Sequence, residues 1–148
     1  MNPSGIVFGK NASLSIGGSF VATTANAIQF DNLGSFSASV PNNPALLTVN
    51  PSALLFNQLP IGEMINRSQA STGISPNGNN VTGLLVPNGN SLLLVGGNVT
   101  LDGGGLIAYG GRVELAGLAA PGNVGLNTAM CSFPVVSTHK LIHPNKLR

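Results

Sequence analysis

A turn signal followed by a short apolar run occurs twice in this chain and restricts the folds that it can adopt. Residues 2–8 are Asn-Pro-Ser-Gly-Ile-Val-Phe, and residues 50–56 are Asn-Pro-Ser-Ala-Leu-Leu-Phe. Proline fixes its own φ and keeps the preceding residue out of the α region, so each copy predicts a turn that leads into a strand. Recurring units of turn and strand predict a solenoid of stacked β coils.

A second internal similarity lies later in the chain. Residues 94–101 and 108–115 each contain a Gly-Gly pair followed by alternating polar and apolar residues. Such alternation is typical of a strand with one face buried and the other in water, and glycine pairs allow sharp corners because they lack a Cβ. Coils of roughly 20 to 25 residues would give the chain about six turns.

The composition favours the same architecture. Only 7% of the residues are charged and 20 of the 148 are glycine, whereas about a quarter of an ordinary soluble domain is charged. Solvent-exposed helices carry Glu, Lys and Arg and use few glycines, so we predict no long helix. No apolar run approaches the ~20 residues of a membrane-spanning helix, and we find no signal-peptide pattern at the start of the chain.

Local patterns divide the chain further. We predict a strand within residues 11–16, a break at Gly17-Gly18, and further strands at residues 19–22, 26–30 and 36–40. The apolar periodicity weakens between residues 58 and 90, which predicts a longer excursion from the solenoid there. The pattern ends near residue 130, so we predict a β-helical domain at 1–130 and a divergent, basic, poorly ordered tail at 131–148.

Several classes of function find little support in the residues. The net charge is +2, but Lys140, Lys146 and Arg148 supply it at the end of the chain, and no basic stripe suited to nucleic acid is present.

Cys131 has no second cysteine for an internal disulfide. With His139 and His143 it lacks a fourth ligand for zinc, so we predict neither a metal site nor a cofactor.

A small charged group is the best candidate for catalysis. Parallel β-helices include carbohydrate-active enzymes, which need carboxylates and basic groups together on one face. Arg112 and Glu114 share one face of a predicted strand, and Asp102 stands near the preceding corner. We interpret these residues as structural ion pairs and predict no enzyme, with a carbohydrate-active β-helix as the alternative.

The order of motifs along the chain resembles a known family. Residues 2–9, 11–14, 17–20, 46–49 and 110–115 resemble the haemagglutination activity domain of filamentous haemagglutinin, and more closely its cyanobacterial members. The resemblance covers residues 2 to about 128. It implies a right-handed parallel β-helix that acts as the non-enzymatic secretion-recognition domain of a large adhesin-like exoprotein in two-partner secretion.

The resemblance also implies a site and its partners. Asn2, Pro3, Ser4, Gly5 and Ile6 match the family's signature turn, with Ser4 in place of its second Asn. In the family, the periplasmic domains of an outer-membrane transporter recognise the domain; the turn is either read by that partner or only builds a corner of the solenoid. Host or surface glycans are possible partners of the full-length protein.

The family carries a signal peptide and further coils ahead of the signature turn. We therefore expect this chain to be a partial domain, truncated at its N-terminus, or else a gene remnant without function. The resemblance implies that the working protein is secreted or displayed on the surface of a Gram-negative-type bacterium.

Overall fold

The computed structural model describes residues 1–40, 51–74 and 76–126, which fold as an all-β structure. Apart from a single 3-10 turn at Asp31–Leu33, every regular element in these residues is a strand. In chain order the strands are β1 (Ile6–Phe8), β2 (Phe20–Thr23), β3 (Ala27–Gln29), β4 (Ser35–Ser37), β5 (Ala53–Phe56), β6 (Met64–Asn66), β7 (Ser71–Ile74), β8 (Asn80–Thr82), β9 (Leu84–Leu85), β10 (Leu92–Gly96), β11 (Val99–Leu101), β12 (Leu106–Ile107), β13 (Val113–Gly117) and β14 (Gly122–Gly125).

Eight of these strands form three parallel sheets that the chain visits in turn. Sheet I has the order β1-β6-β11, sheet II pairs β9 with β12, and sheet III contains β2, β10 and β13 with β10 in the centre. The chain passes from β6 through β9 to β10 and then repeats the order as β11, β12 and β13. We call each passage a layer: β1 and β2 are in layer 1, β6, β9 and β10 in layer 2, and β11, β12 and β13 in layer 3.

The register gives the length of each passage. Leu92 pairs with Val113, 21 positions later, and Leu84 pairs with Leu106, 22 positions later, which agrees with the predicted length of one coil. Met64, however, pairs with Val99, 35 positions later, because the β7–β8 hairpin lies between them. Ile6 in turn pairs with Met64, 58 positions later. The described residues therefore form three layers, and the prediction of about six turns is wrong, because excursions from the parallel sheets take up much of the chain.

The two excursions contain the antiparallel sheets. The longer one follows β2 and adds the sheet β4-β3-β5, which β14 completes after layer 3. The shorter one is the hairpin of β7 and β8 between β6 and β9. The predicted excursion between residues 58 and 90 thus includes this hairpin, but it also contains the layer strands β6 and β9, which the weak apolar pattern concealed.

Two apolar clusters hold the layers together. The inner cluster joins side chains of all three sheets, including Met64, Leu84, Leu92 and Leu94. The outer cluster lies between sheet III and the antiparallel sheet. Strand β10 contributes Leu93 and Val95 to this second cluster, so all its residues are buried. The antiparallel sheet covers the face of this strand that points away from the inner cluster.

The internal similarities do not correspond to stacked units. In the first pair of similar segments, β1 pairs with β6 in parallel, whereas β5 pairs with β3 and β14 antiparallel. Residues 94–101 and 108–115 are 14 positions apart, but the ladder joins residues 21 apart. Similar turn-and-strand sequences thus serve different sheets.

The other local predictions have mixed outcomes. The strands predicted at residues 19–22, 26–30 and 36–40 correspond to β2, β3 and β4, whereas residues 11–16 form no strand. No helix among the described residues is long and apolar enough to cross a membrane. The tail at 131–148 lies outside the described residues, and the domain boundary near residue 130 stays a prediction.

Candidate functional site

The signature segment forms a tight turn immediately before β1. The Gly5 N–H donates to the carbonyl of Asn2 at 3.2 Å, and the Ser4 N–H donates to Asn2 Oδ1 at 3.1 Å. An Asn side chain that accepts from the backbone two residues ahead is a common way to stabilise a turn. Gly5 has a φ of 121°, a conformation that favours glycine because it has no Cβ. The sequence thus specifies this turn locally.

Two further hydrogen bonds attach the turn to neighbouring elements. The Asn2 N–H donates to the carbonyl of Thr23 at the end of β2 at 3.0 Å, and the Ile6 N–H donates to the carbonyl of Glu63 at 2.9 Å. The first bond closes layer 1 on itself, and the second joins it to layer 2. The turn is therefore held at both ends and presents one backbone conformation.

Glycines bring the backbone of the next layers very close to this turn. A Cβ on Gly62 would collide with the carbonyl oxygen of Pro3 and would lie 2.7 Å from Gly5 N. A Cβ on Gly97, one layer further, would lie 2.6 Å from the carbonyl oxygen of Ile61. We call this stack of the Asn2–Gly5 turn, Gly62 and Gly97 the glycine corner. The backbones of successive layers approach so closely here that only glycine fits at the positions shortly before β6 and β11.

The five signature residues differ in what they offer to a partner. Asn2 and Ser4 are exposed, whereas Pro3, Gly5 and Ile6 are half-buried. Ile6 packs against the inner cluster. A protein partner can therefore contact the polar side chains of Asn2 and Ser4, while Ile6 stabilises the fold.

Two exposed polar residues from the other layers extend this surface. Glu63 directly precedes β6 and Asn98 directly precedes β11, so the register places them beside Gly5 at the same corner. Asn98 Nδ2 donates to Glu63 Oε1 at 3.3 Å. We call Asn2, Ser4, Glu63 and Asn98 the polar corner. The sequence analysis missed Glu63 and Asn98, although both stand directly before a strand of sheet I.

The second Asn-Pro-Ser segment has another structural role. The Ser52 N–H donates to the carbonyl of Gln29 at 2.8 Å, and Ser52 Oγ accepts from the Asp31 N–H at 2.7 Å. These bonds connect the antiparallel sheet to its own 3-10 turn. The same local sequence at residues 2–4 lies on the glycine corner, so the chain provides a matched control segment.

The charged residues considered for catalysis separate into two pairs. Arg112 and Glu114 form the expected pair, with 3.1 Å between Nη1 and Oε1. Asp102 does not join them: its Oδ2 lies 2.7 Å from Arg67 Nε, and both side chains are about half exposed. Asp102 follows β11 and stacks over the residue that follows β6, whereas Arg112 precedes β13. The structure thus contains two separate ion pairs where the enzyme alternative required one patch.

The metal candidates receive no structural description. Cys131, His139 and His143 lie outside the described residues. Within residues 1–40, 51–74 and 76–126, no three His, Cys, Asp or Glu side chains come together in an arrangement that could hold a metal ion.

Comparison with known protein families gives a match that covers most of the chain. The family model of the TPS secretion domain, the domain of two-partner secretion, matches residues 1–135. No curated protein and no solved structure matches the chain. The family match covers most of the chain and includes the Asn2–Ile6 turn, all three layers and both excursions. The chain belongs to the TPS secretion domain family.

Proposed function

We propose that the outer-membrane transporter recognises this domain by binding the polar corner around the Asn2–Ile6 turn. Family membership gives the chain a secretion-recognition role in an exoprotein of two-partner secretion, with an outer-membrane transporter as its partner. Proteins of this family are secreted through the outer membrane. The family is non-enzymatic, and the separation of Asp102 from Arg112 and Glu114 gives no support to a carbohydrate-active site.

The observation that carries the proposal is an exposed polar turn with a fixed backbone. Four hydrogen bonds hold residues 2–6, and the side chains of Asn2 and Ser4 remain exposed. Ordering a flexible segment at binding costs free energy, so a preorganised polar surface gives a partner affinity and specificity at a lower cost. The periplasmic domains of the transporter are the proposed binding partner.

We also propose that the three layers form a right-handed parallel β-helix. The support is the repeated order of sheets I, II and III together with the parallel pairing between successive layers. Connections between parallel strands of one sheet are right-handed in nearly all proteins. Adhesion to host or surface glycans by the full-length protein stays a prediction.

The test separates recognition from a purely structural role of the turn. In Asn2→Asp the carboxylate still accepts from the Ser4 N–H, so the turn is retained, but the two amide donors are lost and the polar corner gains a negative charge. We expect affinity for the purified periplasmic domains to fall about tenfold, as at an interface residue that matters. Thermal unfolding should stay unchanged. Calorimetry on the full chain measures the affinity.

If the Asn2→Asp variant binds the periplasmic domains and is secreted as well as the wild type, the transporter does not recognise Asn2. The turn then only builds a corner of the fold. Pro3→Ala and Pro51→Ala provide the matched comparison, since both prolines follow Asn and precede Ser. We expect Pro3→Ala to reduce secretion of the full-length exoprotein and Pro51→Ala to leave it unchanged. If the two substitutions reduce secretion equally, the first Asn-Pro-Ser segment has no specific role in recognition by the transporter.

A further inference from the structure

The tetrapeptide Pro-Asn-Gly-Asn occurs twice, at residues 76–79 and 87–90, and contains both Asn-Gly pairs of the chain. Asn-Gly is the pair most prone to spontaneous deamidation, because glycine has no side chain to shield its nitrogen. The two copies have the same immediate sequence, so their folded surroundings determine which one reacts faster.

The chemistry has two balanced steps. The backbone nitrogen of the glycine, after losing its proton, attacks the Cγ of the preceding Asn; the new C–N bond closes a five-membered succinimide, and the side-chain nitrogen leaves as ammonia. Water then adds to one of the two imide carbonyls, and that C–N bond breaks to give aspartate or isoaspartate. Water is the only co-reactant, and no oxidation or reduction takes place.

The two sites share several features that allow the reaction. Asn77 and Asn88 are both exposed. Gly78 has a φ of 80° and Gly89 a φ of 79°, and a Cβ at either glycine would meet no atom within 4 Å. Neither exposure nor the glycine conformation therefore distinguishes the two sites.

The hydrogen bonds of the attacking nitrogens differ. The Gly89 N–H donates to the carbonyl of Tyr109 at 2.8 Å, which joins layer 2 to layer 3, and the Asn90 N–H donates to the carbonyl of Pro87 at 3.0 Å. Within the described residues, the Gly78 N–H makes no such bond. A nitrogen that keeps its hydrogen bond cannot readily lose the proton and rotate towards Cγ. The fold thus protects Asn88.

The surrounding elements point the same way. Asn77 lies in the connection of the β7–β8 hairpin, which has an irregular register. Of the hairpin residues whose side chains the structure describes, 71–73 and 80–82, none belongs to the two apolar clusters. A segment with few buried apolar contacts opens locally at a low free-energy cost. Asn88, in contrast, lies between two buried residues of layer 2, Val86 and Leu92.

We propose that Asn77 is a site of spontaneous deamidation, and that the fold makes it the faster of the two Asn-Gly sites. The product carries a negative charge at the tip of a hairpin that has no charged residue between positions 71 and 82. With isoaspartate, the main chain of this tip also becomes one carbon longer. Both products alter an exposed surface that is separate from the polar corner.

Incubation of the intact, folded chain at mildly alkaline pH, followed by trypsin and fragment-ion mass spectrometry, tests the proposal. Cleavage after Arg67 and Arg112 leaves both sites in one peptide, so each is an internal standard for the other. We expect deamidation at Asn77 to be about fivefold faster than at Asn88, the factor that one ordinary backbone hydrogen bond provides.

The same incubation in concentrated urea is the control for local sequence. There the hydrogen bond of Gly89 is lost, and the two rates should approach each other through an increase at Asn88. Equal rates in the folded chain, or a faster reaction at Asn88, would overturn the proposal. If the ratio of the two deamidation rates stays the same in urea, the residues that flank the tetrapeptide cause the difference in rate, and the proposal is equally overturned.

Discussion

At the scale of single residues, a buried polar group joins the three layers. Asn66 Nδ2 donates to the carbonyl of Gly105 at 3.0 Å, and Asn66 Oδ1 accepts from the Ser68 N–H at 3.0 Å. Ser68 Oγ in turn donates to the carbonyl of Ala12. Asn66 and Ser68 are both fully buried. Layer 2 is thus bonded through side chains to layer 1 on one side and to layer 3 on the other.

Removing the Asn66 side chain should have a large effect on stability. Asn66→Ala leaves the buried Ser68 N–H without its partner, whereas the Gly105 carbonyl still accepts from the Leu84 N–H at 3.0 Å. An unsatisfied buried polar group costs about 1–3 kcal/mol, so we expect the free energy of unfolding to fall by about 2 kcal/mol, measured by urea denaturation. The exposed Asn11 is the control: Asn11→Ala should stay within about 0.5 kcal/mol. A similar small change for Asn66→Ala would contradict the bonding described here.

At the scale of elements, close backbone contact at the corners sets the spacing of the layers. Gly62 lies against the turn of layer 1, and Gly97 lies against the backbone before β6. A Cβ on Gly117 would in turn lie 2.8 Å from the carbonyl oxygen of Gly97. Each glycine therefore allows one layer to follow the next at this corner.

Adding a methyl group at this corner should destabilise the protein. In Gly62→Ala the new Cβ meets backbone atoms of Pro3 and Gly5, which cannot rotate away. We expect the free energy of unfolding to fall by about 3 kcal/mol, the upper part of the usual range for overpacking. Gly17 is the matched control, because a Cβ there meets no atom within 4 Å; Gly17→Ala should be neutral or slightly stabilising. Chemical denaturation of both variants compares them.

The elements also show what the sequence could and could not predict. Strand β3 follows from a short apolar run with local turn signals, and the Asn2–Gly5 turn follows from its own residues. Strand β6 was missed because it includes Asn66, a polar residue that is buried only because Gly105 and Ser68 complete its hydrogen bonds. The polar corner was likewise found only in part, since Glu63 lies far from Ser4 in sequence and register alone brings them together.

At the scale of the whole molecule, β10 joins the parallel layers to the antiparallel excursion. Leu94 lies in the inner cluster with Met64 and Leu84, whereas Leu93 lies in the outer cluster with Leu54 and Phe56. Both leucines are completely buried. In a stacked array each layer is stabilised mainly by its neighbours, so the central strand of sheet III determines whether the parts unfold separately.

We therefore expect the layers and the excursion to unfold together. Leu93→Ala and Leu94→Ala should each lower the free energy of unfolding by about 3 kcal/mol, because each leaves a cavity in a packed cluster. Hydrogen exchange measured by mass spectrometry should show protection falling to the same extent in β5 and in β11 for either variant, as in a single cooperative unit. Loss of protection in β5 alone after Leu93→Ala, with β11 unchanged, would show that the excursion unfolds independently of the layers.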